Sequence, residues 1–345
     1  MKPEWKTFLI DSGAEFDGER IVSFGNAERE QSIFLSGDIL CDLSHYGLIS
    51  AYGEDALRFL QGQFSSDVTE VSQTRSQLSS YCSPKGRMLS CFRVFLRGDT
   101  YYLRLPSAML EPMLQHLHVF LLRAKVTLAD ASDALIKCGY SGPHAEWELE
   151  QALGMYPVNV GDCVQANGAT AVRVPGPNPR FEIYGGLAVM KKLWTVLNVR
   201  AAPVGASSWA LLDILAGIPS ILPATSDHFV PQMTNLQVIG GVNFKKGCYP
   251  GQEVIARMHY LGTLKRRMYR AHLPTDKAPQ AGDPIYALSK NDAKPSGTII
   301  DAQLYPGGGV EALAVLRIDD AEHHPLRLGS PDGIILELRS LPYEF

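Results

Sequence analysis

The order of apolar and polar positions sets out a run of short elements. Ile33-Phe34-Leu35 is apolar, Ser36-Gly37-Asp38 is turn-prone, and a second apolar run ends near Tyr52, so two strands are expected within 31–52. A helix over 54–61 follows, with Ala56, Leu57, Phe59 and Leu60 spaced onto one apolar face and Gly62 placed to stop it. Strands are expected over 78–82 and 88–96, joined by a turn in which Pro84 and Gly86 supply the backbone preferences. Another strand at 100–105 precedes helical spacing over 108–122, carried by Met109, Met113, Leu117, Phe120 and Leu121, and 126–129 reads as the next strand.

The stretch 141–180 is rich in Gly and Pro and predicts irregular connections around one short helix near 146–153. A strand at 181–184 and a helix over 209–216 come next; Ser207 would cap that helix, and Gly217 and Pro219 stand in stop order. Beyond Leu264, strand-like pieces at 267–272, 298–302 and 311–317 alternate with Pro and Gly clusters, the pattern of a small β domain.

Composition narrows the class. A chain of 345 residues with 46% hydrophobic content has room for two or three cores, and the fold class expected is α+β. A net charge of −4 argues against strong direct nucleic-acid binding. The longest apolar stretch, 211–224, is interrupted by Asp213, Gly217, Pro219 and Ser220, so no membrane span is expected. The first twenty residues hold no apolar core with basic flanks and carry Glu4, Asp11, Glu15, Asp17 and Glu19, unlike a targeting segment. Six cysteines lie scattered without a C-x-x-C pair, which suggests neither a structural zinc site nor a disulfide framework and fits the cytoplasm.

One segment departs from the rest. Between Phe244 and Arg270 stand Lys245, Lys246, Arg257, Lys265, Arg266, Arg267 and Arg270 against the single acid Glu253. Within it, Gly247 and Gly251 permit a folded-back loop that presents Cys248 and Tyr249 and leads into a helix from Gly251. Free N–H groups at that helix start, with Lys246 beside them, suit an anionic group such as a carboxylate. Cys248 then lies among positive charge, the setting that favours a thiolate and a reactive cysteine.

Lys246-Gly247-Cys248-Tyr249-Pro250-Gly251-Gln252-Glu253, followed by Ala256-Arg257, closely resembles the signature of the YgfZ-type folate-binding proteins, relatives of the glycine-cleavage T-protein. Leu60-Gln61-Gly62-Gln63 with Asp67-Val68, the turn Lys85-Gly86-Arg87, and Pro231-Gln232 with Asn235-Leu236 resemble further stretches of that family. The resemblance implies a three-domain cloverleaf of the aminomethyltransferase folate-binding type with a small C-terminal β-barrel. The limits expected are 1–130, 131–254, interleaved with the first, and 255–345.

The resemblance also implies tetrahydrofolate or a derivative as ligand. It implies Cys248 and Lys246 as the reactive pair, and Glu182, Tyr249, Gly251, Gln252, Glu253 and Arg257 at the folate. Glu182 enters through Phe181-Glu182-Ile183, whose carboxylate is suited to the N–H donors of a pterin ring. The implied activity is assistance in assembly or repair of iron–sulfur clusters in client enzymes, tRNA methylthiotransferases among them, through transient contacts with client or assembly proteins. A folate-dependent aminomethyl or methyl transferase is the alternative. A single motif thiol falls short of the four that a [4Fe–4S] cluster takes, so no stably bound metal is expected.

Overall fold

The computed structural model describes residues 1–34, 36–289 and 292–345. Contacts divide the chain into two units with interleaved segments: 1–59, 69–77 and 93–212 in the first, and 60–68, 78–92 and 213–345 in the second.

The first unit is built on two sheets. One has strand order Cys163–Ala166, Ala169–Val174, Arg180–Gly185, Ile136–Ser141, Ile39–Asp42, Ala202–Val204, antiparallel except for the last pair. In the other, residues 93–97 of Met88–Arg97 pair with Thr100–Pro106, which pairs with Tyr46–Tyr52 and that in turn with Thr127–Asp130, all antiparallel. The helices Pro3–Asp11, Ala145–Leu153 and Leu187–Leu197 bury Trp5, Leu149 and Trp194 against Tyr140 and Phe181 in one core. Trp5 Nε1 donates to Asp42 Oδ1 at 2.7 Å, which ties the N-terminal helix to the sheet.

The second unit carries a six-stranded antiparallel sheet near the C-terminus, a curled half-barrel with strand order Leu326–Leu328, Pro284–Ser289, Asp292–Leu304, Val310–Arg317, Arg266–Leu273, Glu337–Arg339. Successive side chains of a strand face opposite ways. In Val310–Arg317 both faces are apolar: Leu313 and Val315 enter one core with Phe229, Tyr249 and Ile255, and Ala312, Ala314 and Leu316 enter another with Leu273 and Ile285.

Several expectations need correction. Ile33 ends the helix Ala27–Ile33 instead of forming a strand, and Leu35 lies outside the described residues. Leu57 of the helix Ala56–Gln61 is exposed, so its apolar face is Ala56, Phe59 and Leu60. The helix expected over 108–122 is the shorter Leu110–Val119 after a 3₁₀ turn, and Phe120 is exposed. Stretch 141–180 contains a regular hairpin, Cys163–Ala166 with Ala169–Val174, whose turn places Asn167 and Gly168 at positive φ. The helix Ala206–Leu215 begins before Ser207, which is therefore not its cap.

Candidate functional site

In the second unit, two stretches far apart in sequence meet at one lysine. Lys246 is buried, and its Nζ donates to the carbonyl oxygens of Gln61 at 2.7 Å, Phe64 at 2.6 Å and Ser66 at 2.8 Å. A helix leaves its last carbonyls without intrahelical partners. Here the chain turns sharply after the helix, with the N–H groups of Gln63 and Phe64 both donating to Leu60 O, so the carbonyls of 61, 64 and 66 converge on a cation. The Gln61 side chain stiffens the turn: its Oε1 accepts from Val68 N at 2.8 Å and its Nε2 donates to Asp67 Oδ1 at 2.9 Å.

An ammonium has three protons to donate, and all three of Lys246 are in use. Burial draws its pKa down to about 8, with Asp67 pulling the other way. The same ammonium lies 5.2 Å from the centre of the Tyr249 ring, a buried residue whose phenol pKa is pushed up by desolvation.

Gly251 precedes the helix Gln252–Leu261 at φ 78°. A Cβ at that position would stand 2.5 Å from Ser83 O and 2.6 Å from Gly86 Cα, so only glycine lets the turn 83–87 pack against the loop. That turn is closed by Ser83 N to Arg87 O and Gly86 N to Ser83 O, each 2.8 Å, and is fixed through Ser83 Oγ to Asp227 Oδ1 at 2.7 Å. Gln252 Nε2 reaches back to the carbonyls of Lys246 and Gly247 at 3.3 and 3.4 Å. Gln232 Nε2 donates to Ile255 O at 2.7 Å and Asn235 Nδ2 to Met268 O at 3.0 Å, which seats the helix and the strand after it.

Within this framework Cys248 is exposed, while Cys41, Cys82, Cys91, Cys138 and Cys163 are buried. Desolvation raises the pKa of Cys82 to about 12, so that thiol stays protonated. Glu253 and Arg257 are exposed on the helix.

Glu182 belongs to the first unit, on the strand Arg180–Gly185, and has no exposed surface. Its Oε1 accepts from Arg104 Nη2 at 2.5 Å, and its Oε2 accepts from Arg104 Nε at 3.3 Å and from the Tyr184 hydroxyl at 2.6 Å. The Arg104 guanidinium lies 4.2 Å from the Tyr46 ring centre, and Phe95 packs on Tyr184 at 4.3 Å. Burial and the Glu182 charge hold the Tyr184 phenol well above its usual pKa. Arg104, Tyr46 and Tyr184 are site residues that the sequence reading did not find; the signal was one charged residue inside the apolar strand Thr100–Pro106. The expected residues thus occupy two places: Lys246, Cys248, Tyr249, Gly251, Gln252, Glu253 and Arg257 in one loop and helix, and Glu182 in the other unit.

Known proteins resemble this chain in sequence and in fold. Residues 11–160 match the family model described as GCVT N-terminal domain. The chain shares its fold with the glycine cleavage system aminomethyltransferase T from Bartonella henselae, at a TM-score of 0.81 and 17% identity, over 99% of this chain and 97% of that one. The tRNA-modifying protein YgfZ of Colwellia psychrerythraea is 32% identical over 305 residues, 88% of this chain and 93% of the relative. Its namesake in Photorhabdus laumondii subsp. laumondii is also 32% identical, over 88% of this chain and 92% of the relative. With that identity sustained along nearly the whole length of both chains, the protein belongs to the YgfZ family.

Proposed function

We propose that the chain binds tetrahydrofolate or a derivative and serves in the cytoplasm as an accessory protein for assembly or repair of iron–sulfur clusters in client enzymes, those that modify tRNA included. The observation that carries this reading is the display of Cys248: one exposed thiol, in a loop whose neighbours Lys246, Tyr249, Gly251 and Gln252 are all anchored. The relatives' name supplies the link to tRNA modification.

The residues around Glu182 fit a pterin. A carboxylate receives paired N–H donors, a guanidinium donates to a carbonyl oxygen, and aromatic rings offer faces for stacking. Glu182, Arg104, Tyr46 and Tyr184 supply these groups together. Glu182 Oε1 accepts one hydrogen bond and Oε2 two, so a pterin N–H group would use the remaining lone pair of Oε1 and a second would take over a position now filled by Arg104 or Tyr184. Bound folate supplies a one-carbon carrier; the protein's part is to orient it.

At the second site, the Cys248 sulfur replaces a water on an exchangeable coordination position of an iron in the client's cluster, the thiol proton passes to solvent, and no oxidation state changes. One thiolate gives one bond, which suits transient holding, since a stable cluster takes four. Lys246, Gly251 and Gln252 act as positioning residues that hold the loop. The test is replacement of Cys248 by Ser in a strain lacking the native protein, with methylthio-modified tRNA nucleosides quantified by mass spectrometry. Loss of modification is expected, and undiminished modification overturns the role of the thiol. A tetrahydrofolate titration of the parent and of Glu182→Gln tests the ligand, with weakened binding expected in the variant.

A further inference from the structure

Arg93 and Arg104 face each other across the antiparallel pair formed by Met88–Arg97 and Thr100–Pro106. Both are buried, at 4% and 8% exposure. Like charges directly opposite on a sheet destabilise it, and desolvation raises the penalty unless each charge is matched. The Glu182 charge acts on both, but among the described residues it is hydrogen-bonded to one of them. Arg104 grips Glu182 side-on through Nε and Nη2.

Arg93 carries the same fork and forms no ion pair among the described residues. Its Nη1 makes one 3.3 Å bond to Ser76 Oγ, and its buried Nε has no partner. Glu182 accepts two hydrogen bonds from Arg104 and one from Tyr184, and its charge acts on Arg93 without a hydrogen bond between them. The cluster therefore holds two guanidinium groups against one carboxylate. A side chain kept only to fill this space would be apolar, since an apolar replacement for a buried charge is commonly neutral or stabilising.

We propose that Arg93 is the anchor of an anion subsite in the first unit, which takes the carboxylate or phosphate group of a ligand on the Nε side of its guanidinium. Planar oxyanions match that fork with two parallel N–H···O bonds. The incoming anion neutralises the excess charge of the arginine pair and gives the idle Nε its acceptor. A folate's glutamate tail and a phosphorylated metabolite both present the required group, and the proposal stands without the folate reading.

The experiment is thermal denaturation at constant ionic strength, followed by the fluorescence of Trp5, Trp147, Trp194 and Trp209, all in the first unit. Parent, Arg93→Met and Arg93→Gln are each titrated with inorganic phosphate, with p-aminobenzoylglutamate and with 6-methyltetrahydropterin. In the parent, at least one of the two anions should raise the melting temperature saturably, as a ligand of the native state does. Half-saturation should weaken at least tenfold in both variants, and the anion that acts identifies the source. An anion response that needs Arg93 while the pterin has no effect supports the subsite and counts against the folate reading alone. Absence of a saturable response to either anion in the parent overturns the proposal, as does an equal response in the variants. Should both variants fail to fold, Arg93→Lys, which keeps the charge and removes the fork, takes their place with the same tenfold weakening expected and an equal response overturning the proposal.

Discussion

Replacing Lys246 with Met keeps most of the side-chain volume and removes the ammonium that three backbone carbonyls share. A hydrogen bond to a charged group contributes about 1.5–3 kcal/mol net, so the three bonds at 2.6–2.8 Å set an upper bound of roughly 5–9 kcal/mol. Two effects reduce it. The desolvation that draws the lysine pKa down to about 8 disappears with the charge, and water can reach the partly buried Gln61 carbonyl. A net loss of about 3 kcal/mol follows, which at an m-value of about 2 kcal/mol/M lowers the urea midpoint by roughly 1.5 M. All four tryptophans lie in the first unit, so their fluorescence is the wrong probe. Pulsed thiol labelling of Cys82 and Cys91, buried in the core around Tyr249, reports the second unit. A midpoint shift at pH 7 below about 0.3 M, about a fifth of the loss expected at this m-value, refutes the claim that the clasp holds this loop.

Further outcomes follow from the same geometry. The lysine holds its proton less tightly in the fold, at about 8, than in the unfolded chain, at about 10.4. The unfolded lysine therefore binds more protons between those values, so the urea midpoint of the parent relative to that of Lys246→Met should rise from pH 7.5 to 9.5, while the buried Cys82 thiol, which keeps its proton to about 12, opposes it equally in both. Gly251→Ala combines a left-handed backbone with a Cβ pressed on Ser83 O and should destabilise the second unit by about 2–4 kcal/mol, measured by the same labelling. Under native conditions Ellman's reagent should titrate one thiol rapidly, and none in Cys248→Ser, whose stability should stay within about 0.5 kcal/mol of the parent. Glu182→Ala leaves Arg104 and Arg93 buried without a carboxylate and should lower the first unit's stability by about 3–5 kcal/mol by tryptophan fluorescence.

Elements with a clear period were legible in the sequence. The strands Met88–Arg97 and Val310–Arg317 and the helix Gln252–Leu261 fall within a few residues of expectation, because their apolar spacing or Gly and Pro borders carry the instruction locally. The hairpin over 163–174 was hidden: its strands are short, and the Gly and Pro residues on either side read as loop. Ile33 misled because a short apolar run has no period of its own; its place in a helix depends on the Asn26 cap, whose side chain accepts from Arg29 N, far from the run.

At the candidate site the motifs were visible but their mutual roles were not. Lys246 reads as a free cation beside a cysteine, since nothing local shows that its protons go to carbonyls up to 185 positions earlier. That pairing alters what each motif does. Gln61, Phe64 and Ser66 contribute backbone oxygens, which any residue possesses, so their side chains say nothing of the clasp. Gly251 and Gly86 are restricted by each other's backbone, so each glycine depends on a residue that it does not adjoin in sequence. A loop held in this way from two sides loses little further conformational entropy when its exposed thiol meets a partner. The same rigidity makes Lys246 and Gly251 the residues whose change should disturb Cys248 without touching its sulfur.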